Sequence, residues 1–436
     1  MSRTKPTTSP VQRYLARYAQ PEIDALKDLD TNDHARVLVI PCYDESPEFL
    51  DDLLPANASD LLVIVIVNAP DSAPRDARLR TVRLLRKLRG ATSKPLSVAT
   101  YSRTRNIQLL VIDRVSDARL LPYRQGVGLA RKIGADCALA LICANRVHGE
   151  WIYVTDADVC LPGDYLCTTM PKSGTALFPF RHVSQDPDLQ MRAELYELHL
   201  RFYVNRLTHA RSPYAYHTLG STTAVHAQAY AKVRGYPRRN AGEDFYLLNK
   251  LAKVDTIHGL DASPVVIQAR RSNRVPFGTG VALAKIPDSA QAYASYASAS
   301  FEMLREVLAS LDAVVAGEPW QGSPEADAIL ETLGFFRALD NARRQSRSPL
   351  TLGKAVHQWF DAFRTLRFIH ECRRFHNDAP LLATLATILG PLVSDSTEPA
   401  RNYLQQLRKL PTSKRHGITQ VVPTVSHKPN IASPRS

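Results

Sequence analysis

Residues 154–166 read Val-Thr-Asp-Ala-Asp-Val-Cys-Leu-Pro-Gly-Asp-Tyr-Leu, and two acids in that stretch could do chemistry. Asp156 and Asp158 stand one residue apart, after the apolar run from Trp151 to Val154. Like charges at a strand end repel each other and push one pKa up. A divalent cation removes that cost. Carboxylate oxygens suit Mg2+ or Mn2+, which keep waters and accept phosphate oxygens as further ligands. Such an ion could hold a diphosphate and stabilise charge on it as it leaves. The plain alternative is a solvated turn with two acids, since a bare Asp-x-Asp is common.

Two further stretches carry reactive side chains. In Gln-Gly-Val-Gly-Leu-Ala-Arg-Lys, residues 125–132, Gly126 and Gly128 introduce a helix whose first turn holds Arg131 and Lys132. Exposed amides at a helix N-terminus, with two cations, would attract phosphate; a tight strand-to-helix connection explains the glycines equally. The dinucleotide fingerprint is excluded, because Arg131 stands where its third glycine belongs. Glu243 and Asp244 open an apolar helix after Gly242. Acids there suit the helix dipole as caps, or one of them takes a proton from a hydroxyl as general base.

The elements that must position these groups follow from the apolar pattern. Continuous apolar runs at Val37–Ile40, in Asp-Leu-Leu-Val-Ile-Val-Ile-Val-Asn ending at Asn68, in residues 107–115 and in residues 150–154 suit parallel strands covered on both faces. Helical patterns alternate with them, including a basic helix over 75–89, so a doubly wound, mostly parallel α/β sheet is expected. Ligands bind such sheets outside the carboxyl ends of the strands, where Tyr43, Glu45, Asn68, Asp156 and Asp158 would sit. Residues 174–183 read as one further strand and residues 189–207 as a long helix. From about Ser289 the spacing of Phe301, Leu304, Val307, Leu308, Leu311 and Val314 is helical, and helical patterns recur over 324–345, 351–377 and 398–410. The expected division is a basic N-terminal arm (1–33), the α/β unit (34–288), a helical appendage (289–410) and an unstructured basic tail (411–436).

With 44% hydrophobic and 22% charged residues the chain has the balance of a globular protein. The net charge of +13 is uneven: residues 401–436 carry seven Lys/Arg and no acid, residues 1–20 four and no acid, and residues 75–105 ten against one Asp. Solvated faces account for this, or attraction to a phosphorylated ligand or an anionic membrane surface. No nucleic-acid-binding motif is present, so no nucleic-acid partner is expected. No apolar run reaches membrane-spanning length, and no secretory signal pattern is visible. The six cysteines form no Cys-x-x-Cys pair, which suits a reduced, cytoplasmic setting. Cys42 and Cys160 flank the acids and are read as small packing residues.

Taken in order, the motifs resemble the family 2 glycosyltransferases and relatives with the GT-A fold, over residues 35–280. Val-Leu-Val-Ile-Pro-Cys-Tyr-Asp-Glu looks like that family's opening strand, with Asp44 in place of the usual Asn. The Gly-x-Gly-x-Ala-Arg segment is similar to the family's phosphate-side helix, with Lys132 in place of Asn. Thr-Asp-Ala-Asp matches its metal motif, in which the second acid is the surest ligand. The segment from Gly220 to Leu251 is similar to its acceptor side, ending in the Glu-Asp pair.

The resemblance implies a metal-dependent enzyme moving a sugar from a nucleotide-diphosphate sugar to a hydroxyl acceptor: a saccharide, a lipid-linked molecule or a small molecule. It places Pro41, Tyr43, Glu45, Asn68, Arg131 and Asp156 at the nucleotide-sugar. Asp158 and Asp156 would hold Mn2+ or Mg2+, and Asp244 or Glu243 would serve as base in an inverting reaction. In retaining relatives a later His completes the metal shell, which makes His258 a candidate ligand. Tyr214, Tyr216 and His217 would line the acceptor pocket. Arg270, Arg271 and Arg274, with hinge glycines 278 and 280, would form a lid over the phosphates.

Two departures bear on the reading. Asn68 replaces the acids that usually contact the nucleobase. The processive Gln-x-x-Arg-Trp signature is absent, so a non-processive enzyme is expected. The alternatives are a nucleotidyltransferase on a related fold, which would need Gly and Lys/Arg after the first strand, and a non-catalytic binding protein that kept the fold.

Overall fold

The computed structural model describes residues 9–29, 31–90, 92–270, 279–392, 398–409 and 415–418. The expected strands form as β1 (Arg36–Cys42), β2 (Leu61–Asn68), β4 (Ile107–Arg114) and β5 (Trp151–Val154), and an edge strand, β3 (Leu96–Ser102), precedes β4. β5, β1, β2 and β4 lie side by side and parallel, with β3 antiparallel beyond β4.

The apolar runs are continuous because both faces are covered. Along β1, Val37 and Val39 pack into one core and Leu38 and Ile40 into another; β2 alternates the same way. α4 (Gly126–Cys143) lies on the first face. Gly134 lets it come close, since a Cβ there would strike Val39 and Ile66. α2 (Phe49–Leu53) and α3 (Arg75–Arg89) cover the other face.

The stretch read as one strand over 174–183 is two. β7 (Thr175–Leu177) continues the large sheet, and β8 (Phe180–Val183) leaves it after Pro179. β8 joins a small sheet with β6 (Val159–Cys160) and β11 (Val265–Gln268). β9 (Thr223–His226) runs antiparallel between β5 and β7. β10 (Ile257–Gly259) follows β7, and β14 (Arg415–His416) closes that edge. β14 corrects the tail reading in part: residues 415–418 add a strand and bury Ile418 in the core. Residues 410–414 and 419–436 lie outside the described residues.

The N-terminal arm holds α1 (Pro10–Arg17), started by a capping box between Ser9 and Gln12. Tyr14 of α1 buries its ring and donates a 2.5 Å hydrogen bond to Asp136 of α4. The remaining helices of the α/β unit are α5 (Pro187–His209), α6 (Ala227–Lys232), α7 (Glu243–Leu251) and α8 (Thr279–Lys285).

The C-terminal region is helical, as expected: α9 (Ser298–Ala316), α10 (Pro324–Leu333), α11 (Phe335–Gln345), α12 (Pro349–Trp359), α13 (Ala362–Glu371), α14 (Leu381–Leu389) and α15 (Pro399–Lys409), with a short pair of strands, β12 (Ala294–Ser295) and β13 (Ala379–Pro380). Leu195, Leu198, Phe202 and Leu207 of α5 belong to its core, so the helices are built onto α5.

Buried Glu197 locks this junction. Its carboxylate accepts from Arg201 Nε at 2.8 Å, from the His182 backbone N–H at 2.8 Å and from Arg408 of α15 at 2.8–2.9 Å. These donors hold its pKa down at about 2, against the opposing effect of burial. No described helix is long and apolar enough to cross a membrane.

Candidate active site

The carboxyl ends of β1, β2 and β5, the start of β6, the end of β11 and the N-termini of α4 and α7 converge on one region. After β1 the chain turns at Asp44 with φ +56°, a conformation Asp tolerates better than most residues. Arg80 of α3 grips Asp44 through Nε at 2.6 Å and Nη2 at 2.9 Å. Pro41 is buried inside β1 opposite Ile66. It lies beyond Val39, the last β1 residue with a partner on β5, which suits a residue with no N–H to give. Asn68 closes β2, donating to the carbonyls of Ile66 at 2.9 Å and Cys42 at 3.2 Å. Its amide thus ties the ends of two strands together.

The two acids after β5 each meet an arginine. Arg131 of α4 is buried and spans two elements, pairing with Asp156 through Nη2 and with Glu243 of α7 through Nη1. Gly220 makes room for it: a Cβ there would land within the guanidinium. Arg270, just past β11, pairs with Asp158 at 3.0 Å and with Glu45, to which its Nη1 donates at 2.8 Å. It is positioned by the small sheet, in which Gln268 N–H donates to the Asp158 carbonyl at 3.0 Å and Ala269 N–H to that of Val183 at 2.8 Å.

Among the described residues, Glu45, Asp156, Asp158, Glu243 and Asp244 share Arg131 and Arg270. The acids respond as crowded, desolvated carboxylates do. Burial, then Asp156, lifts Asp158 to about 6 in spite of Arg270. Burial lifts Glu243 to about 7 in spite of Arg131. Asp244 is also raised by burial, while it accepts from the Phe245 N–H at 2.7 Å.

The structure does not bring every expected residue here. His258 sits on β10, with β7 and β9 between it and β5. Its Nε2 lies 3.3 Å from where a Cβ on Gly174 would be, before the start of β7. It is therefore turned away from the carboxyl ends and is not a ligand at Asp158. Lys132 faces the opposite way from Arg131, with Nζ 3.1 Å from Asp136 Oδ2 and 2.5 Å from the Tyr14 hydroxyl. The glycine turn is also covered. Gly128 N–H donates to the Arg239 carbonyl at 2.8 Å, and Cβ atoms on Gly126 and Gly128 would strike residues 237–240. Those amides are not an open phosphate cradle. Arg271, Arg274 and Gly278 lie outside the described residues.

Tyr214, Tyr216 and His217 line a pocket of about 50 Å³ between α5, α13 and Phe245, room for a few water-sized groups. Burial pushes His217 down to about 3, so it is neutral. The hydroxyls of Tyr216 and Thr365, both lining residues, are buried and have no hydrogen-bond partner among the described residues. Phe245 follows Asp244 directly, and Thr218 lies two residues before Gly220, so the pocket adjoins the acids. Cys42 is buried, and Cys160 is exposed and unpaired.

Among the described residues no three His, Cys, Asp or Glu side chains converge as a self-contained metal cage would. An ion carried with a diphosphate needs no such cage, because one or two carboxylates, phosphate oxygens and water fill its shell. The carboxylate surplus fits an open site of that kind, and Asp158 and Asp156 are the residues that could hold the ion. Two features here carry no local signal in sequence: the room Gly220 gives Arg131, and the double pairing of Arg270. No protein-family model matches the chain, and no curated protein matches it.

Proposed function

We propose that the protein is a glycosyltransferase with a GT-A-like nucleotide-sugar site, moving a sugar from a nucleoside diphosphate to an acceptor hydroxyl. One observation carries the reading: among the described residues, five carboxylates share two guanidinium groups at the carboxyl ends of parallel strands. A surplus of that kind would repel a bare diphosphate and attract a divalent cation. Bound at Asp158 and Asp156, Mn2+ or Mg2+ would neutralise the departing diphosphate.

The chain's own groups divide the remaining work. Tyr43 and Asn68, at the ends of β1 and β2, bound the nucleoside side. Arg131 is held by Asp156 and Glu243 and fixes the carboxylate geometry from beneath. Asp244 adjoins the small pocket, on the side where an acceptor would enter. Its raised pKa suits a general base: the acceptor O–H breaks, the proton passes to Asp244, and the oxygen bonds to the anomeric carbon. The bond from that carbon to the diphosphate oxygen breaks with its electron pair. Glu243, engaged by Arg131, is the positioning partner.

Release of nucleoside diphosphate from UDP-, GDP- and dTDP-sugars tests the reading. Wild type should release it from at least one donor, and Asp158→Asn and Asp244→Asn should not. Pyrophosphate formed from a nucleoside triphosphate and a sugar phosphate would replace it with the nucleotidyltransferase reading. No turnover with either set would leave a binding protein.

A further inference from the structure

The two arginines at the site are not equivalent. Arg131 is enclosed, its side chain 5% exposed, between acids from two different elements. Arg270 is 35% exposed and sits on the open side of the cluster. Its guanidinium spans Glu45 and Asp158, the acid best placed to hold an ion. Its Nε, like that of Arg131, is buried and donates to no described acceptor.

We propose that Arg270 is a built-in counter-cation: it occupies Asp158 when no ion is bound, yields that carboxylate to a divalent cation, and passes its guanidinium to the donor's phosphate oxygens. The proposal rests on the reading that Asp158 binds the ion. Arg270 Nη2 lies 3.0 Å from Asp158 Oδ2, so an ion that takes this oxygen meets the guanidinium charge at contact range and competes with it for that position. The fork that now spans Glu45 and Asp158 has the geometry to grip phosphate oxygens instead. By linkage, whatever draws Arg270 off Asp158 tightens the ion, and the ion in turn favours the phosphate-bound arginine.

This gives Arg270 opposite effects on two ligands, which a merely structural residue would not have. Mn2+ binding is measured by electron paramagnetic resonance without nucleotide, and UDP, GDP, CDP and dTDP binding by calorimetry at saturating Mn2+. Arg270→Gln removes the competitor and should tighten Mn2+ about tenfold while weakening the nucleotide about tenfold. Arg270→Lys keeps a charge without the fork, so Mn2+ affinity stays near wild type and nucleotide affinity falls. Arg80→Gln removes a nearby positive charge outside the cluster and should change Mn2+ affinity by less than about twofold. Circular dichroism checks that each variant is folded.

If Mn2+ binds wild type and Arg270→Gln equally, or binds the variant more weakly, Arg270 is not a competitor; the carboxylate site itself would stand. If Mn2+ binds none of the proteins, the ion reading fails and the counter-cation with it. If Mn2+ binds but none of UDP, GDP, CDP and dTDP does, the hand-over to phosphate is refuted along with the donor reading.

Discussion

Two charge clusters, one buried and one partly open, use the same residue types in opposite proportion. At the junction of α5 and α15, Glu197 is surrounded by Arg201, Arg408 and the His182 amide. At the strand ends, five acids share Arg131 and Arg270 among the described residues. The first cluster satisfies its carboxylate and holds its pKa at about 2. The second leaves its carboxylates crowded and lifts Asp158 and Glu243 to about 6 and about 7. The difference separates a joint from a site. A joint spends its charges on itself, whereas a site keeps a surplus that a ligand must complete.

The contrast is broken most severely at its centre. Asp158→Asn should lower turnover by about a thousandfold or more, roughly 4 kcal/mol of transition-state stabilisation. It should not lower the melting temperature at pH 8, because it removes a repelled charge. A melting temperature several degrees lower would make Asp158 a structural residue. At the joint, Glu197→Gln leaves two guanidinium groups without their acid. Chemical denaturation should show a loss of about 3–5 kcal/mol, and a loss under about 1 kcal/mol would deny that Glu197 locks α15 to α5.

The clusters should also bend the pH profile in opposite directions. Glu197 titrates near 4.5 when unfolded and about 2 when folded. Its stabilisation is present above about 4.5 and is lost as pH falls toward 2. Asp158 has its folded pKa raised from 3.8, so the folded protein keeps a proton that the unfolded chain releases. Stability from that group therefore declines as pH rises from about 4 to about 6, by at most about 3 kcal/mol. Glu243 adds the same sign between 4.5 and about 7. Thermal melts from pH 4 to 8 should show Asp158→Asn losing less stability than wild type over this range; parallel curves would contradict the crowding. The smallest effect is expected from Gly220→Ala. The added methyl displaces the Arg131 guanidinium, and calorimetric unfolding should show a loss of about 1–2 kcal/mol.

Much of the sheet was legible because β1, β2, β4 and β5 are apolar on both faces and leave an unbroken run. β3 has only one well-covered end, and β9 is an antiparallel insertion four residues long, so neither announces itself. Pro179 divides two strands that look like one, a distinction only their partners reveal. Within the site, Asp156, Asp158, Glu243, Asp244 and Arg131 stand out as acids and a base beside apolar elements. Their mutual pairing does not, because it joins segments 25 and 112 residues apart with no shared period. Lys132 shows the limit well. It neighbours Arg131 in sequence, yet one step around the helix turns it into the α1 interface. His258 fails for a similar reason: spacing after an acidic pair says nothing about which strand intervenes.

The central claim is that the surplus of acids is completed by a cation together with a diphosphate. Calorimetric titration of UDP, GDP, CDP and dTDP, with and without Mn2+, tests it most directly. One nucleotide should bind wild type only when Mn2+ is present and should fail to bind Asp158→Asn. Equal binding with and without Mn2+, or binding unchanged in Asp158→Asn, would contradict it.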